Sequence, residues 1–210
     1  MTAVRRRPIS MVRFAPNKRM KGWIGMRKNF GAKPWVYPLP VLLVGTYDEN
    51  GSADLMNAAW GGLYDENQVI LCLSAGHKTT KNILKKKAFT VSFADVAHVT
   101  EADYVGIVSG NKEPDKVTKA GFHAMQSEFV DAPLIKELPM TLECRLVKQN
   151  EDGNIIGEIV NISADESILN GDGMIDPEKL SPLSFDPIRN VYVKMGETAG
   201  KAFSDGAALK

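Results

Sequence analysis

Residues 41–62 read VLLVGTYDENGSADLMNAAWGG and consist of two strand-length runs separated by a polar turn. The turn ends in Asn50-Gly51, and an Asn-Gly pair supplies the positive φ angles that tight hairpins need. The flanking runs occupy residues 41–47 and 53–60. This stretch therefore predicts an antiparallel β-hairpin.

Further strand signals are short apolar runs bounded by polar turns. These runs lie at residues 62–64, 69–73, 88–94, 142–147 and 155–163. Helical patterns are few, at residues 80–87, 97–109 and 114–120, and Gly121 ends the last of them. The sequence contains neither GxGxxG nor GxxxxGK[ST]. We therefore predict a mostly β fold with short helices, in which an antiparallel sheet closes into a barrel and so removes its edges.

Length and composition fit one globular domain. The chain has 210 residues, of which 44% are apolar and 24% charged. Its apolar runs are far shorter than the roughly 18 to 20 residues that span a bilayer, so we expect a soluble, cytoplasmic protein without a membrane partner. Cys72 and Cys144 each lie in an apolar run, and both are predicted to be buried thiols rather than members of a disulfide or a metal site.

The charge is distributed unevenly along the chain. Ten basic residues precede the first acid, Asp48, and the remainder carries 16 basic and 25 acidic residues. An acidic body repels phosphates, which argues against a nucleic-acid partner. Residues 1–25 are basic and show no hydrophobic period, so we expect an extension outside a single domain at residues 26–210. A disordered arm, a targeting segment and a start codon wrongly placed upstream of Met26 are the alternatives for that extension.

One basic stretch interrupts the acidic body. Residues 71–87 read LCLSAGHKTTKNILKKK, and no acid occurs between Glu66 and Asp95. An apolar strand ends there, a turn follows, and a helix begins near Thr79 or Thr80. Because a helix start carries unpaired N–H groups and partial positive charge, this arrangement favours a phosphate site. The alternative is a simple helix cap followed by a solvated lysine face.

Two other stretches carry weaker signals. Residues 54–63, DLMNAAWGGL, offer small residues that let a flat ligand approach the backbone, although a buried Trp60 beside a turn would give the same pattern. Residues 104–116, YVGIVSGNKEPDK, place Ser109-Gly110 after a helical segment and before two lysines.

Taken together, these three stretches resemble the flavin reductase-like domain of the FMN-binding split barrel, and are most similar to its flavoredoxin branch. The resemblance covers about residues 30–165. It implies that Asn57, Ala58, Ala59 and Trp60 line the isoalloxazine ring. It further implies that the FMN phosphate is held by Ser74, His77, Lys78, Thr79 and Thr80, with a second flavin-contacting turn at Ser109, Gly110 and Lys116. Family members often carry an arginine where this chain has His77 or Lys78, and a lysine lacks the bidentate fork of arginine.

The resemblance also implies a function. We expect an FMN-binding oxidoreductase that forms a homodimer and passes electrons through the flavin. No catalytic side chain is required, because electrons go directly to flavin N5. The electrons come either from NADH or NADPH, as in a flavin reductase, or from a redox protein partner, as in a carrier. The alternative is a non-catalytic barrel that binds flavin, haem or another planar ligand, with His77 as the candidate axial ligand of a haem.

Overall fold

The computed structural model describes residues 27–209, so the predicted extension at residues 1–25 lies outside the described residues. The chain divides between Pro34 and Trp35 into two units. Residues 27–34 contain no helix or strand. The fold described below is that of residues 35–209.

Most of the regular structure is antiparallel β. The strands are β1 (Leu39–Pro40), β2 (Leu42–Tyr47), β3 (Ala53–Ala58), β4 (Gly61–Asp65), β5 (Gln68–Leu71), β6 (Ala88–Phe93), β7 (Ala124–Gln126), β8 (Pro133–Ile135), β9 (Met140–Gln149), β10 (Ile155–Ala164), β11 (Leu183–Asp186) and β12 (Val191–Lys194). The helices are α1 (Lys78–Lys86), α2 (Val99–Ile107), α3 (Lys116–Lys119) and α4 (Pro177–Leu180), and short 3-10 helices occupy Glu166–Ile168 and Asp205–Leu209. Among the described residues, no helix combines the length and apolar character needed to cross a membrane.

Seven strands form the main sheet, in the order β3-β2-β6-β9-β10-β5-β4. Strands β3 and β4 thus lie at opposite edges of the sheet, yet only Ala59 and Trp60 separate them in the chain. Because consecutive Cα atoms are about 3.8 Å apart, these two residues span a short distance, and the edges must approach each other. A Cβ on Gly61 would stand 3.1 Å from the Leu42 side chain, which belongs to the opposite side of the sheet. The sheet is therefore curled into a half-barrel, as the split-barrel prediction requires.

The curled sheet has a core on each face. Successive residues of β2 point to opposite faces, so that Leu42 and Val44 join one core while Val41 and Leu43 join the other. The first core fills the inside of the half-barrel with side chains such as Phe89 and Ile155. The second core lies between the sheet and helices α2 and α3. It contains the buried apolar residues Val41, Leu43, Leu55, Ala94, Ala102, Val105, Val117, Phe122, Ile135, Leu138 and Leu183.

The predicted hairpins are confirmed by the strand pairs β2–β3, β4–β5 and β9–β10. Their turns use glycine at positive φ where the sequence indicated it, with Gly51 at 78° and Gly153 at 90°. The predicted strand at residues 53–60 ends two residues earlier, at Ala58.

The prediction that Cys72 is buried is wrong: its neighbours Leu71 and Leu73 are buried, and Cys72 lies on the opposite face, where it is exposed. Cys144 is buried as predicted, and burial raises the pKa of its thiol to about 12.

Candidate functional site

Helix α1 begins without a side-chain cap. His77 occupies the N-cap with extended backbone, at φ −67° and ψ 142°, and among the described residues it makes no capping hydrogen bond to the first turn. The first turn contains no acidic residue. Ser74, Gly76 and His77 are exposed in the loop that leads from β5 into the helix. The positive end of α1 and its unpaired N–H groups therefore face a loop that solvent reaches.

The hydroxyl groups of Thr79 and Thr80 point into the protein. Thr79 Oγ1 donates to Asp54 Oδ2 at 2.6 Å, and Thr80 Oγ1 donates to the Ser74 backbone oxygen at 2.9 Å. A hydroxyl has one proton to donate, and in both residues it is already used. Both threonines are buried. They can therefore serve an external anion through their backbone N–H groups and not through their side chains.

Lys78 is held in an ion pair by the β2–β3 turn. Its Nζ lies 3.1 Å from Asp48 Oδ2. Burial acts to raise the pKa of Asp48, but hydrogen bonds from the Ser52 and Asn50 N–H groups and from Lys78 outweigh it and hold that pKa below its usual value. Asp48 shares the charge of Lys78 and sets the position of the ammonium, a role that its place in a hairpin turn did not reveal.

The second predicted turn lies next to the start of α1. Asn111 Nδ2 donates to the Gly76 backbone oxygen at 3.0 Å and joins the two loops at the surface. Ser109 is exposed and Gly110 is buried. The structure thus brings together two stretches that the sequence separates by more than thirty residues. Asn111 lies within the predicted stretch at residues 104–116, but nothing in its sequence context indicates that it contacts Gly76.

Lys116 lies beneath this surface rather than on it. The residue is 2% exposed, and its Nζ donates to the backbone oxygens of Val105 at 3.0 Å and Val108 at 3.2 Å. Asp54 Oδ1 is 3.5 Å from the same nitrogen. Burial lowers the pKa of the Lys116 ammonium, and Asp54 opposes part of that shift. Neither the burial of Lys116 nor that of Asp54 follows from the local sequence.

The predicted ring stretch borders the same region. Asn57 uses both amide protons internally, donating to the Ala102 backbone oxygen at 3.0 Å and to Tyr192 Oη at 3.3 Å. Tyr192 in turn donates to Asp103 Oδ1 at 2.8 Å, and burial together with this bond raises the pKa of Tyr192 to about 12. Only Asn57 Oδ1 remains to meet a ligand, and it can only accept.

Small and aromatic residues continue the ring stretch. Ala58 and Ala59 are half-buried, and Trp60 is 58% exposed, which places its side chain outside the core of this chain. The Trp60 backbone oxygen accepts from Cys72 N–H at 2.8 Å, two residues before Ser74. The ring stretch and the start of α1 therefore adjoin through β5.

Comparison with known proteins identifies this arrangement. Residues 36–185 match the family model described as the flavin reductase like domain. The chain belongs to the flavin reductase-like family. Flavoredoxin of Desulfovibrio vulgaris (Miyazaki F) has a similar structure, with a TM-score of 0.84 and 40% sequence identity, covering 86% of this chain and all of that one. The flavoredoxin from Methanosarcina acetivorans is similar at a TM-score of 0.77 and 29% identity, covering 88% and 98% of the two chains.

A curated relative matches over a smaller part of the chain. A protein of Aquifex aeolicus (strain VF5) is 27% identical over 161 residues, which cover 70% of this chain and 80% of the relative. The matches to the flavoredoxins and to this relative thus run over most of the chain and not over a single motif.

The residues of this flavin reductase-like chain fit both ends of FMN, the phosphate and the isoalloxazine ring. The phosphate requires positive charge and donors, and the uncapped start of α1, Ser74, His77 and Lys78 provide them without a neighbouring acid in the first turn. The ring requires a flat, partly apolar surface, and the stretch from Ala58 to Trp60 provides one. The assignment of individual residues to the flavin stays a prediction.

Proposed function

We propose that this protein is an FMN-binding oxidoreductase of the flavin reductase and flavoredoxin type. The observation that carries the proposal is the meeting of the loops at residues 74–78 and 109–111, joined by Asn111 and Gly76, at the start of α1, whose first turn contains no acidic residue and no side-chain cap. Membership of the flavin reductase-like family supports the choice of a flavin for this site.

Each part of the site has a defined task in this proposal. The N–H groups at the start of α1, together with Ser74, His77 and Lys78, bind the phosphate. Ala58 and Ala59 let the ring approach the backbone, and Trp60 covers one border of the ring. Asn57 Oδ1 accepts a hydrogen bond from an N–H of the ring, since its amide protons are used elsewhere. When bound, the flavin supplies the redox chemistry, and the chain supplies binding, orientation and exclusion of water.

The electron donor is proposed to be NADH or NADPH, or else a redox protein for which this protein acts as a carrier. Both proposed forms pass electrons through a bound flavin, and the similarity to two flavoredoxins is compatible with either. Anaerobic mixing of the yellow protein with NADH and, separately, with NADPH distinguishes a flavin reductase from a carrier. Bleaching by NADH or NADPH indicates a flavin reductase, and a yellow protein that neither nicotinamide reduces indicates a carrier.

We further propose that the protein forms a homodimer. Trp60, Leu63 and Tyr64 are large apolar side chains, and all three are exposed along edge strand β4 and the residue before it. Several large exposed apolar side chains close together in the chain favour an interaction site. A second copy of the chain would cover this edge and bring its own surface close to the predicted ring stretch.

The proposed function is tested by purification followed by titration. A yellow protein whose absorbance and fluorescence are those of one FMN per chain is expected. The colourless protein, if obtained, is titrated with FMN. A protein that neither carries nor takes up FMN contradicts the proposal.

A further inference from the structure

The Lys116 ammonium is fully occupied inside the protein. Its three oxygen neighbours are the backbone oxygens of Val105 and Val108 and the Oδ1 atom of Asp54, at 3.0, 3.2 and 3.5 Å. An ammonium has three protons, so each has a neighbour to meet. Lys116 therefore has no proton left for a ligand, and its burial keeps it from reaching one.

The same ammonium anchors the end of α2. Val105 lies in the last turn of that helix and Val108 is its C-cap. Helix C-terminal ends carry unpaired carbonyl groups and partial negative charge, so a cation there is favourable. Residues 109–115 connect Val108 to Lys116. The contact of Lys116 with the oxygens of Val105 and Val108 therefore holds both ends of this segment at the C-terminal end of α2.

Asp54 connects that anchor to the first turn of α1. Its Oδ1 atom faces Lys116, and its Oδ2 atom accepts from Thr79 Oγ1 at 2.6 Å. Gly110 packs so closely on the carboxylate that a Cβ there would stand 2.2 Å from Asp54 Oδ1. One buried carboxylate thus contacts both loops of the candidate phosphate site from below.

We propose that Asp54 and Lys116 form a buried ion pair that positions the loop at residues 109–111 against the start of α1, and so sets the affinity for a phosphate-bearing flavin without touching it. This inference rests on the proposed function, because it takes the ligand to be FMN. The bond from Asn111 to Gly76 joins the two loops at the surface, and the ion pair joins them underneath. Both residues are positioning residues, acting through Thr79 and Gly110.

The test uses a double variant because a single one can fail to fold. Removing Lys116 alone leaves the Asp54 carboxylate buried without its cation, which is strongly destabilising. Asp54→Asn combined with Lys116→Met removes both charges, keeps the net charge of the protein and retains an acceptor for Thr79. The matched control is Lys112→Met, which removes an exposed lysine from the same loop.

Two readouts are compared across the unmodified protein, the double variant and the control. Dissociation constants for FMN and riboflavin give the preference for the phosphate. We expect the double variant to lose about tenfold or more of that preference while its riboflavin affinity stays within about twofold, since misplacing binding groups by about 1 Å is costly. Hydrogen exchange of the ligand-free proteins reports the loops directly. Amides at residues 74–80 and 109–112 should exchange faster in the double variant, and those of β9 and β10 should not change.

The outcomes are separable. Retained preference for FMN in the double variant overturns the inference, as does an equal loss in Lys112→Met, which would show that any substitution of a lysine in this loop lowers the preference. Unchanged hydrogen exchange at both loops also overturns it. If the unmodified protein takes up no FMN, the proposed function fails, and hydrogen exchange alone then decides whether the ion pair positions the loops. If it binds FMN no better than riboflavin, the phosphate does not bind at the start of α1, and the effect of the ion pair on affinity is overturned while the proposed function stands.

Discussion

The start of α1 and the edge at β4 differ in whether their side chains have partners within the chain. At the start of α1, Thr79, Thr80 and Lys116 have internal partners, and the two loops are joined both at the surface and underneath. At the β4 edge, Trp60 and Leu63 are 58% and 72% exposed, so most of each residue faces solvent. The phosphate end of the predicted flavin site is thus complete within one chain, whereas the ring end offers a surface that a second chain can complete. The two ends should therefore respond differently to substitution.

The largest effect is expected from the ligand itself. Riboflavin has the same ring as FMN and lacks the phosphate, so it tests the α1 end alone. Each lost charge-assisted hydrogen bond is worth about 1.5 to 3 kcal/mol, and water replaces part of it. We expect riboflavin to bind about 100 to 10,000 times more weakly, measured by fluorescence titration. Equal affinities would show that the phosphate does not bind at the start of α1.

Gly110→Ala should destabilise the α1 end. The added methyl group would stand 2.2 Å from Asp54 Oδ1, in a carboxylate that is fixed by Thr79 and Lys116. Overpacking of this kind costs about 1 to 3 kcal/mol, or several degrees in Tm for a domain of this size. Thermal denaturation measures it.

The control for that change is Gly62→Ala at the β4 end. A Cβ there meets no atom within 4 Å, so its Tm should stay near that of the unmodified protein. Equal Tm values for the two variants would mean that the packing around Asp54 is loose.

Leu63→Asp should weaken the proposed homodimer without unfolding the chain. Leu63 is 72% exposed, so a carboxylate there stays solvated in the single chain but is buried in the proposed interface. Truncation of interface residues of this kind costs about 1 to 2 kcal/mol or more, which weakens the dimer about tenfold. Sedimentation velocity over a range of protein concentrations measures the change, and Val96→Asp is the exposed control. A dimer that survives Leu63→Asp places the interface elsewhere.

Lys78→Ala should weaken FMN binding and leave riboflavin binding unchanged. The ammonium lies at the start of α1, and its pairing with Asp48 reduces the net charge that the phosphate meets. We therefore expect a loss of about 1 to 2 kcal/mol for FMN only. Lys86→Ala, in the last turn of the same helix and paired with Asp131, should change neither affinity, because the helix dipole acts within the terminal turn. Equal losses for both variants would indicate a general effect of net charge.

Trp60→Phe should have the smallest effect. The side chain is exposed, so the fold is expected to persist, and an aromatic contact with the ring is worth about 0.5 to 1.5 kcal/mol. Since Phe retains part of that contact, FMN affinity should fall only a few-fold, with a shift in the flavin absorbance bands. An unchanged affinity and spectrum would remove Trp60 from the ring site.

The sequence predicts the local parts of this fold and misses the non-local ones. The hairpin at Asn50-Gly51 is specified by its turn, and the helix at residues 78–86 by the polar turn and lysines around it. Cys72 is predicted to be buried because it extends the apolar run of β5, but Leu71 and Leu73 on either side of it are buried, so Cys72 lies on the opposite face and is exposed. An apolar run does not reveal which of its two faces is left uncovered.

The candidate site likewise contains local features that the sequence predicts and non-local contacts that it misses. The α1 start and the Ser109-Gly110 turn carry signals in consecutive residues, so they could be found. The burial and pairing of Asp54 and Lys116 could not be predicted, because in the local sequence each looks like a surface residue. The contact between Asn111 and Gly76 is likewise a property of the assembled chain.

The long separation in sequence between the paired strands β5 and β10 has a consequence for synthesis on the ribosome. Strand β5 pairs on its far side with β10, through contacts such as Leu71 with Ile155. While the ribosome is still adding residues 72–154, the β4–β5 hairpin therefore has a free edge of main-chain N–H and C=O groups. Long-range strand pairing is slow to form, and free edges of this kind are prone to pair with other chains. The acid-free, lysine-rich segment at residues 78–87 emerges directly after this hairpin, and its charge would keep nascent chains apart until β10 arrives.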